Sequence, residues 1–476
     1  MLIQEYAVNL DTPTKLDNLL IEAFQKRFQG EIIRPSDPGY DEARAIWNRM
    51  IDKYPALIAR CANSDDVIQA VNFARDNDLL LSVRGGGHNV AGSAVCDGGL
   101  MIDLSLMKDI QVDPQGRTAT AQPGVVFGEL DRATQPYGLA VPGGIVSATG
   151  MAGLTLGGGF GWLTRKYGLT CDNLISAEVV TTAGELLTAS ATENPDLFWG
   201  IRGGGGNFGI VTSFKFQLQP VGPDVLAGMI IHPLDAAGDV LRFYRDFTAS
   251  TPEALGTMAV FLLAPPAPFI PEELHRKPVL AIIVCYVGEV EEGQRVVQPL
   301  RDFGAPIFDG IQVKPFAAHN SSLDAGQPSG MYYYWKSEYV TEIADDAIET
   351  LVAFAANMTS PQARLAAFQL GGAARRYDEQ AMAVSHRNAE YVIAINTGWA
   401  DPQDTEKQTQ WTRDLWTAIR PFSSGGVYVN FLSADDGEDR VRAAYGAAKF
   451  ERLAQLKRKY DPQNLFQMNK NIKPGL

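Results

Sequence analysis

The run LLLSVRGGGHNVAGS, residues 79–93, carries an apolar strand into three glycines, a histidine and an asparagine. It puts His88, one of only five histidines in the chain, in the loop whose backbone is most open to an approaching ligand. Two chemistries suit that composition. Amides freed by Gly85, Gly86 and Gly87 can converge on an anion, and a concave nest of them suits a pyrophosphate. An imidazole fixed in a tight loop can be bonded to the group that the loop wraps. Arg84 at the strand end can face a phosphate, and Asn89 supplies further donors. A lone glycine loop would be a tight turn. Two more clusters, at 157–159 and 203–206, make a cofactor cradle the stronger reading.

Gly204, Gly206 and Gly209 fit the spacing GxGxxG, but their context opposes a Rossmann site. That fingerprint follows a strand and opens a helix. Here the helical run NPDLFWGI leads in and the alternating strand IVTSFKFQL leads out.

The elements that must hold these loops follow from periodicity. PALIARCA reads as a strand, SDDVIQAVNFARDND as a helix with apolar residues at helical spacing, and LLLSV as a buried strand. A hairpin turns at the Asp-Pro-Gln-Gly of residues 113–116, a short helix closes at Gly138, and a second hairpin turns at Ala183-Gly184. From about Val221 the texture changes to long strands such as VLAIIVCYVGE and YVIAINTGW, alternating with helices. That pattern predicts a second α+β domain with an open sheet. A single C-terminal helix is expected to run from RAAYGAAKF to a stop at Asp461-Pro462.

Bulk properties bound the function. At 476 residues, 46% apolar and 20% charged, the chain is globular and too long for one core. A net charge of −14 argues against nucleic acid as a partner. Cys61, Cys96, Cys171 and Cys285 form no CxxC pair, and the histidines show no ligand spacing, so neither a disulfide framework nor a metal site is expected. The first residues, MLIQEYAVNLDTPTKL, lack a secretory pattern, and no apolar run approaches the roughly 20 residues of a membrane span. A cytoplasmic protein is expected.

Taken in order, VRGGGHN, LAVPGGIVSATGMAGLTLGGGFGWLTRKYGLTCDN, NPDLFWGIRGGGGNFGIVTSF, YVNF and KYDPQNLFQMNKNI resemble one family across nearly the whole chain. It is the berberine bridge enzyme-like group of FAD-linked oxidases, within the vanillyl-alcohol-oxidase type. The resemblance implies an α+β fold: an N-terminal segment at 1–29, then a PCMH-type FAD-binding domain of two α/β subdomains at 30–220. A substrate domain with an antiparallel sheet covered by helices follows at 221–434. A C-terminal segment, 435–476, returns to the FAD domain.

The resemblance also assigns residues. His88 becomes the covalent attachment point on the flavin 8α-methyl, a link that should raise the flavin potential and pin its ring. Arg84, Gly85, Gly86, Gly87, Asn89, Gly92 and Ser93 would cradle the pyrophosphate. Gly150, Gly153, Gly157, Gly158 and Gly159 would pass close to the flavin. Asn207, Phe208, Gly209, Ile210 and Val211 would line another side, and Tyr428 and Asn430 of YVNF would meet the cofactor. Thr149 stands where side-chain size is thought to control oxygen entry.

Two departures matter. Many members carry a cysteinyl link in Pro-Gly-Gly-x-Cys; here Val146 occupies that place, so one covalent bond is expected. Many use the last tyrosine of Tyr-x-Asn-Tyr as a base; here it is Phe431. Tyr428 is the first candidate for the proton acceptor, and Tyr334 of MYYYWKSEY the second. Lys336 reads as a salt-bridging or substrate-orienting residue, His386 and Arg387 as structural, and Cys171 as a buried thiol. The expected activity is hydride transfer from a C–H beside O or N of a sugar, alcohol or secondary metabolite to flavin N5. Oxygen is the expected acceptor, giving hydrogen peroxide. A dehydrogenase with another acceptor, and a flavin-bearing binding or resistance protein, are the alternatives.

Overall fold

A computed structural model describes residues 17–475. The sequence reading of the first sixteen residues lies outside that range. Two sheets are built from the first half of the chain. In one, strands Leu57–Arg60, Leu100–Asp103 and Leu81–Arg84 run parallel, with Glu31–Ile33 antiparallel on the outer edge of Leu57–Arg60. The helix Ser64–Asp76 covers this sheet through Val67, Ala70, Val71 and Ala74, all fully buried. Its N-cap is Asn63, whose side chain accepts the Asp66 N–H. The other sheet is antiparallel and five-stranded, with Ile210–Gln217 between Thr118–Ala121 and Leu174–Val180. Both expected hairpins are present at its edges.

The second half forms an eight-stranded antiparallel sheet. Its strands are apolar on both faces, which explains their uninterrupted hydrophobic runs. In Pro278–Tyr286, Leu280, Ile282, Val284 and Tyr286 pack under the helices Ala237–Thr248, Val290–Asp302 and Asp345–Ala355. The alternate residues Val279, Ala281, Ile283 and Cys285 pack the opposite way, in one core with Ala140, Phe160, Trp162 and Leu169. The sheet is thus clamped between its own helices and the first half of the chain. The expected α+β class, with helices over an antiparallel sheet, is what the chain adopts.

One expected element divides. The C-terminal helix is two, Glu438–Tyr445 and Ala447–Tyr460, broken at Gly446 with φ +73°. That left-handed conformation ends the first helix and re-aims the chain before the second.

Candidate active site

The strand Leu81–Arg84 ends at the glycine loop, and the loop opens onto a cavity of about 290 Å³ between the two halves of the chain. A second cavity beside it, sharing Tyr428, measures about 30 Å³. Glycines 85, 86, 87, 150, 153, 157, 205, 206 and 209 all lie on the wall of the larger one.

Two of them show different reasons for a bare backbone. A Cβ on Gly86 would lie 2.4 Å from the Gly150 Cα, so the two loops can touch only as bare backbone. A Cβ on Gly153 would meet nothing within 4 Å and would project into open space at the cavity wall. Among the described residues, none of the N–H groups of residues 85–89 donates to a protein acceptor. Five consecutive amides without a protein acceptor, on a glycine loop at the cavity wall, are donors available to an anion, which fits a group that carries a diphosphate.

His88 stands on this wall with its ring against Trp47, centroids 5.2 Å apart and planes 18° from parallel. Burial pushes its imidazole down to about 4, so it is neutral at pH 7 and holds a free lone pair. Trp47 is fixed in turn by Tyr333, stacked at 3.7 Å, and donates its Nε1–H to the Gln327 carbonyl at 3.2 Å.

Asn89, Ser93, Val146, Thr149, Ile210, Val211, Tyr428, Asn430 and Phe431 also reach the wall. Tyr428 is buried, and its hydroxyl oxygen accepts two hydrogen bonds, from the Gly159 N–H at 3.1 Å and from Asn430 Nδ2 at 2.8 Å. Burial raises its pKa. The two N–H bonds favour the phenolate and burial opposes it more strongly, so the phenol is held neutral.

Seven expected site residues stand off the wall. The Arg84 guanidinium is bound to buried Asp103 and to the Ala45 carbonyl, so it faces the core of its own sheet and not the nest. Gly92 is a packing position: a Cβ there would meet Ile51 at 2.5 Å. Gly158 packs against Val384, and Gly159 serves Tyr428. Asn207 braces the C-terminal segment, accepting the Ile472 N–H and donating to the Gly204 carbonyl, and Phe208 is core. Tyr334 lies on the far face of its strand, its hydroxyl donating to Asp435 at 2.7 Å. Lys336, on the same face, pairs with Asp435 and Asp436. His386 bonds the Ala443 carbonyl and Arg387 pairs with Asp172. Cys171 is buried beside Met382, away from the cavity wall.

Sequence reasoning missed Trp47, Gln327, Trp335, Asn396 and Tyr445, all of which line the cavity or hold His88. For Trp335 and Asn396 the signal was strand parity, legible only once one residue of each strand is oriented. No Asp, Glu, Lys or Arg stands among the described residues of the wall, so its titratable side chains are His88, Tyr428 and Tyr445.

A family model described as an FAD binding domain matches residues 55–190, and one described as berberine and berberine-like matches residues 427–473. An FAD-linked oxidoreductase of Dictyostelium discoideum is 31% identical, the match covering 96% of this chain and 97% of that one. The (R)-6-hydroxynicotine oxidase of Paenarthrobacter nicotinovorans is 33% identical over 94% of this chain and 97% of its own. The crystal structure of 6-hydroxy-D-nicotine oxidase from Arthrobacter nicotinovorans superposes with a TM-score of 0.86 at 30% identity, covering 97% of this chain and 100% of that one. With a glycine nest, a matching fold and these relatives together, the chain belongs to the berberine bridge enzyme-like FAD-linked oxidoreductases.

Proposed function

We propose that the enzyme is an oxidase holding FAD through one covalent bond at His88, and that it oxidises a C–H next to nitrogen in a small uncharged molecule. The amides of residues 85–89 would take the diphosphate, with Asn89 and Ser93 beside them. Gly150, Gly153, Gly157, Gly209, Ile210 and Val211 would bound the remaining cofactor surface. When bound, FAD supplies a hydride acceptor and passes the electrons on to oxygen, which leaves as hydrogen peroxide.

The residues fit single attachment. His88 is neutral and held flat by Trp47, so its ring nitrogen is available and oriented. Val146 offers no second nucleophile on the wall.

The observation that carries the choice of nitrogen is the uncharged wall. Loss of hydride from a carbon beside a neutral amine leaves an iminium and needs no proton acceptor. The same step at a carbinol carbon needs a base for the hydroxyl proton. Burial raises the Tyr428 pKa and outweighs the two N–H bonds that would favour a phenolate, so the neutral phenol is a poor base, and Phe431 has no proton chemistry. Tyr428 instead holds its own proton, available as a donor. An ammonium would enter this wall without a counter-charge, so the free amine is the form that binds. The relative named as a 6-hydroxynicotine oxidase agrees in kind.

The test is the pH dependence of kcat/KM with a panel of amines and alcohols. For an amine, kcat/KM is expected to rise with pH until the substrate's own ammonium group has titrated, and the midpoint to shift with the amine used. Alcohol turnover with a midpoint independent of substrate would contradict the proposal. The dehydrogenase reading is separated by reoxidation of the reduced enzyme in air, expected to be at least as fast as with an artificial quinone.

A further inference from the structure

The eight-stranded sheet contributes two unusual atoms to the cavity. Trp335 is only 8% exposed and its Nε1 is buried with no hydrogen-bond partner among the described residues. Asn396 carries a buried Oδ1 with no partner either. Both residues line the cavity. Native interiors leave few such groups unpaired, and each costs free energy until a ligand satisfies it.

The two atoms belong together. Trp335 and Asn396 are direct cross-strand partners in the antiparallel pairing of Tyr332–Val340 with Tyr391–Trp399. Directly opposed residues point to the same face with their Cβ atoms about 5 Å apart. Parity separates them from the charged network: Tyr334 and Lys336, one residue to either side, face Asp435 on the other side of the sheet. Around the pair the wall is aromatic. Phe431 stands edge-on to Trp335 at 5.3 Å, Tyr428 to Phe431 at 5.0 Å, and Phe160 to Phe431 at 5.7 Å.

We infer that Trp335 Nε1–H and Asn396 Oδ1 form a recognition pair for a flat, uncharged ligand carrying an acceptor and a donor side by side on one edge, as a lactam does. A lactam carbonyl accepts the indole N–H while its adjacent N–H donates to the carboxamide oxygen. The aromatic walls suit a flat ring, and the lack of charged side chains excludes an ionised ligand. The inference rests on the proposed reading of this cavity and adds the class of ligand edge that it recognises.

The experiment titrates the flavin-loaded enzyme with 2-pyridone, a minimal lactam, and with N-methyl-2-pyridone, which lacks the donor. Binding is read by calorimetry and by the visible spectrum. In the wild type the N-methyl compound is expected to bind about tenfold more weakly, the scale of one buried unpaired polar group. Asn396→Leu should weaken 2-pyridone about tenfold and abolish the difference between the two compounds. Trp335→Phe should weaken both about tenfold. Absence of saturable 2-pyridone binding, or equal affinity of the two compounds for the wild type, would overturn the inference. So would variants that lose flavin yet keep their 2-pyridone affinity, because the two atoms would then serve the cofactor. Xylobiose responding to both substitutions as strongly as 2-pyridone would overturn it in favour of a diol. Calorimetry needs no colour, so failure to take up flavin would sink the functional proposal while leaving this result readable.

Discussion

Trp47 meets His88 face to face, and that contact sets what the imidazole can do. A ring clamped between a tryptophan and a glycine loop keeps one orientation, which shortens the search for a reactive geometry. Trp47→Ala is expected to lower the fraction of FAD that stays on the acid-denatured chain several-fold. Trp47→Phe, which restores a flat partner, should recover most of it. Retention in Trp47→Ala equal to wild type would remove the indole from the attachment chemistry. Residues 85–88 lie on the cavity wall. The glycines of residues 85–87 and His88 were legible because glycine clustering has few other uses. The sequence was less legible where a side chain could face either way. Arg84 has the right type for a phosphate contact, but buried Asp103 lies within reach in the neighbouring strand and takes it. Tyr334 and Trp335 differ by one position, and only the pairing of the finished sheet decides which of them meets the cavity.

The helix Phe127–Thr134 and the short helix Phe316–Asn320 join the two halves of the chain. Asp131 on the first is 3% exposed and accepts a hydrogen bond from Asn320 Nδ2 on the second at 2.8 Å. Burial pushes its carboxyl up from 3.8 to about 7. An acid whose pKa is raised by folding keeps a proton that the unfolded chain has already released. Its stability is therefore full below about pH 4 and is lost as pH rises through about 7. Asp131→Asn retains the acceptor for Asn320 and removes this loss. The variant should be more stable than wild type at pH 8, by about 4 kcal/mol, and equal to it near pH 4. Thermal unfolding at the two pH values checks both the size and the sign. Gly86→Ala would drive a methyl group into Gly150, so it should abolish FAD uptake even if the chain folds, as absorbance of the purified protein would show. Element types were legible because the helices are amphipathic and the long strands of the eight-stranded sheet are apolar runs. The break at Gly446 was not, since apolar spacing continues across it and only the backbone angle reveals the turn.

Over the whole molecule, the C-terminal segment closes the structure around the cofactor half. Lys457 is fully buried, pairs with Asp461 at 2.6 Å and donates to the carbonyls of Asn207 and Phe466, each at 2.9 Å. Phe466, two residues before Met468 in the same segment, lines the cavity. Lys457→Met would strand the Asp461 carboxylate in the interior, and a loss of about 3–5 kcal/mol is expected, read as a shift in the denaturant midpoint. Among the described residues no helix is long and apolar enough to cross a membrane. The segment's return to the first half was implied by family resemblance; nothing in its own periodicity names the surface on which it lands. The central expectation is a flavin bonded to the chain at one imidazole and nowhere else. The most direct measurement is mass spectrometry of peptides from acid-denatured, protease-digested enzyme. The predicted result is a single yellow peptide, containing His88 and carrying the mass of FAD, absent from His88→Ala. A colourless digest with all flavin in the supernatant, or flavin mass on any other residue, would contradict it.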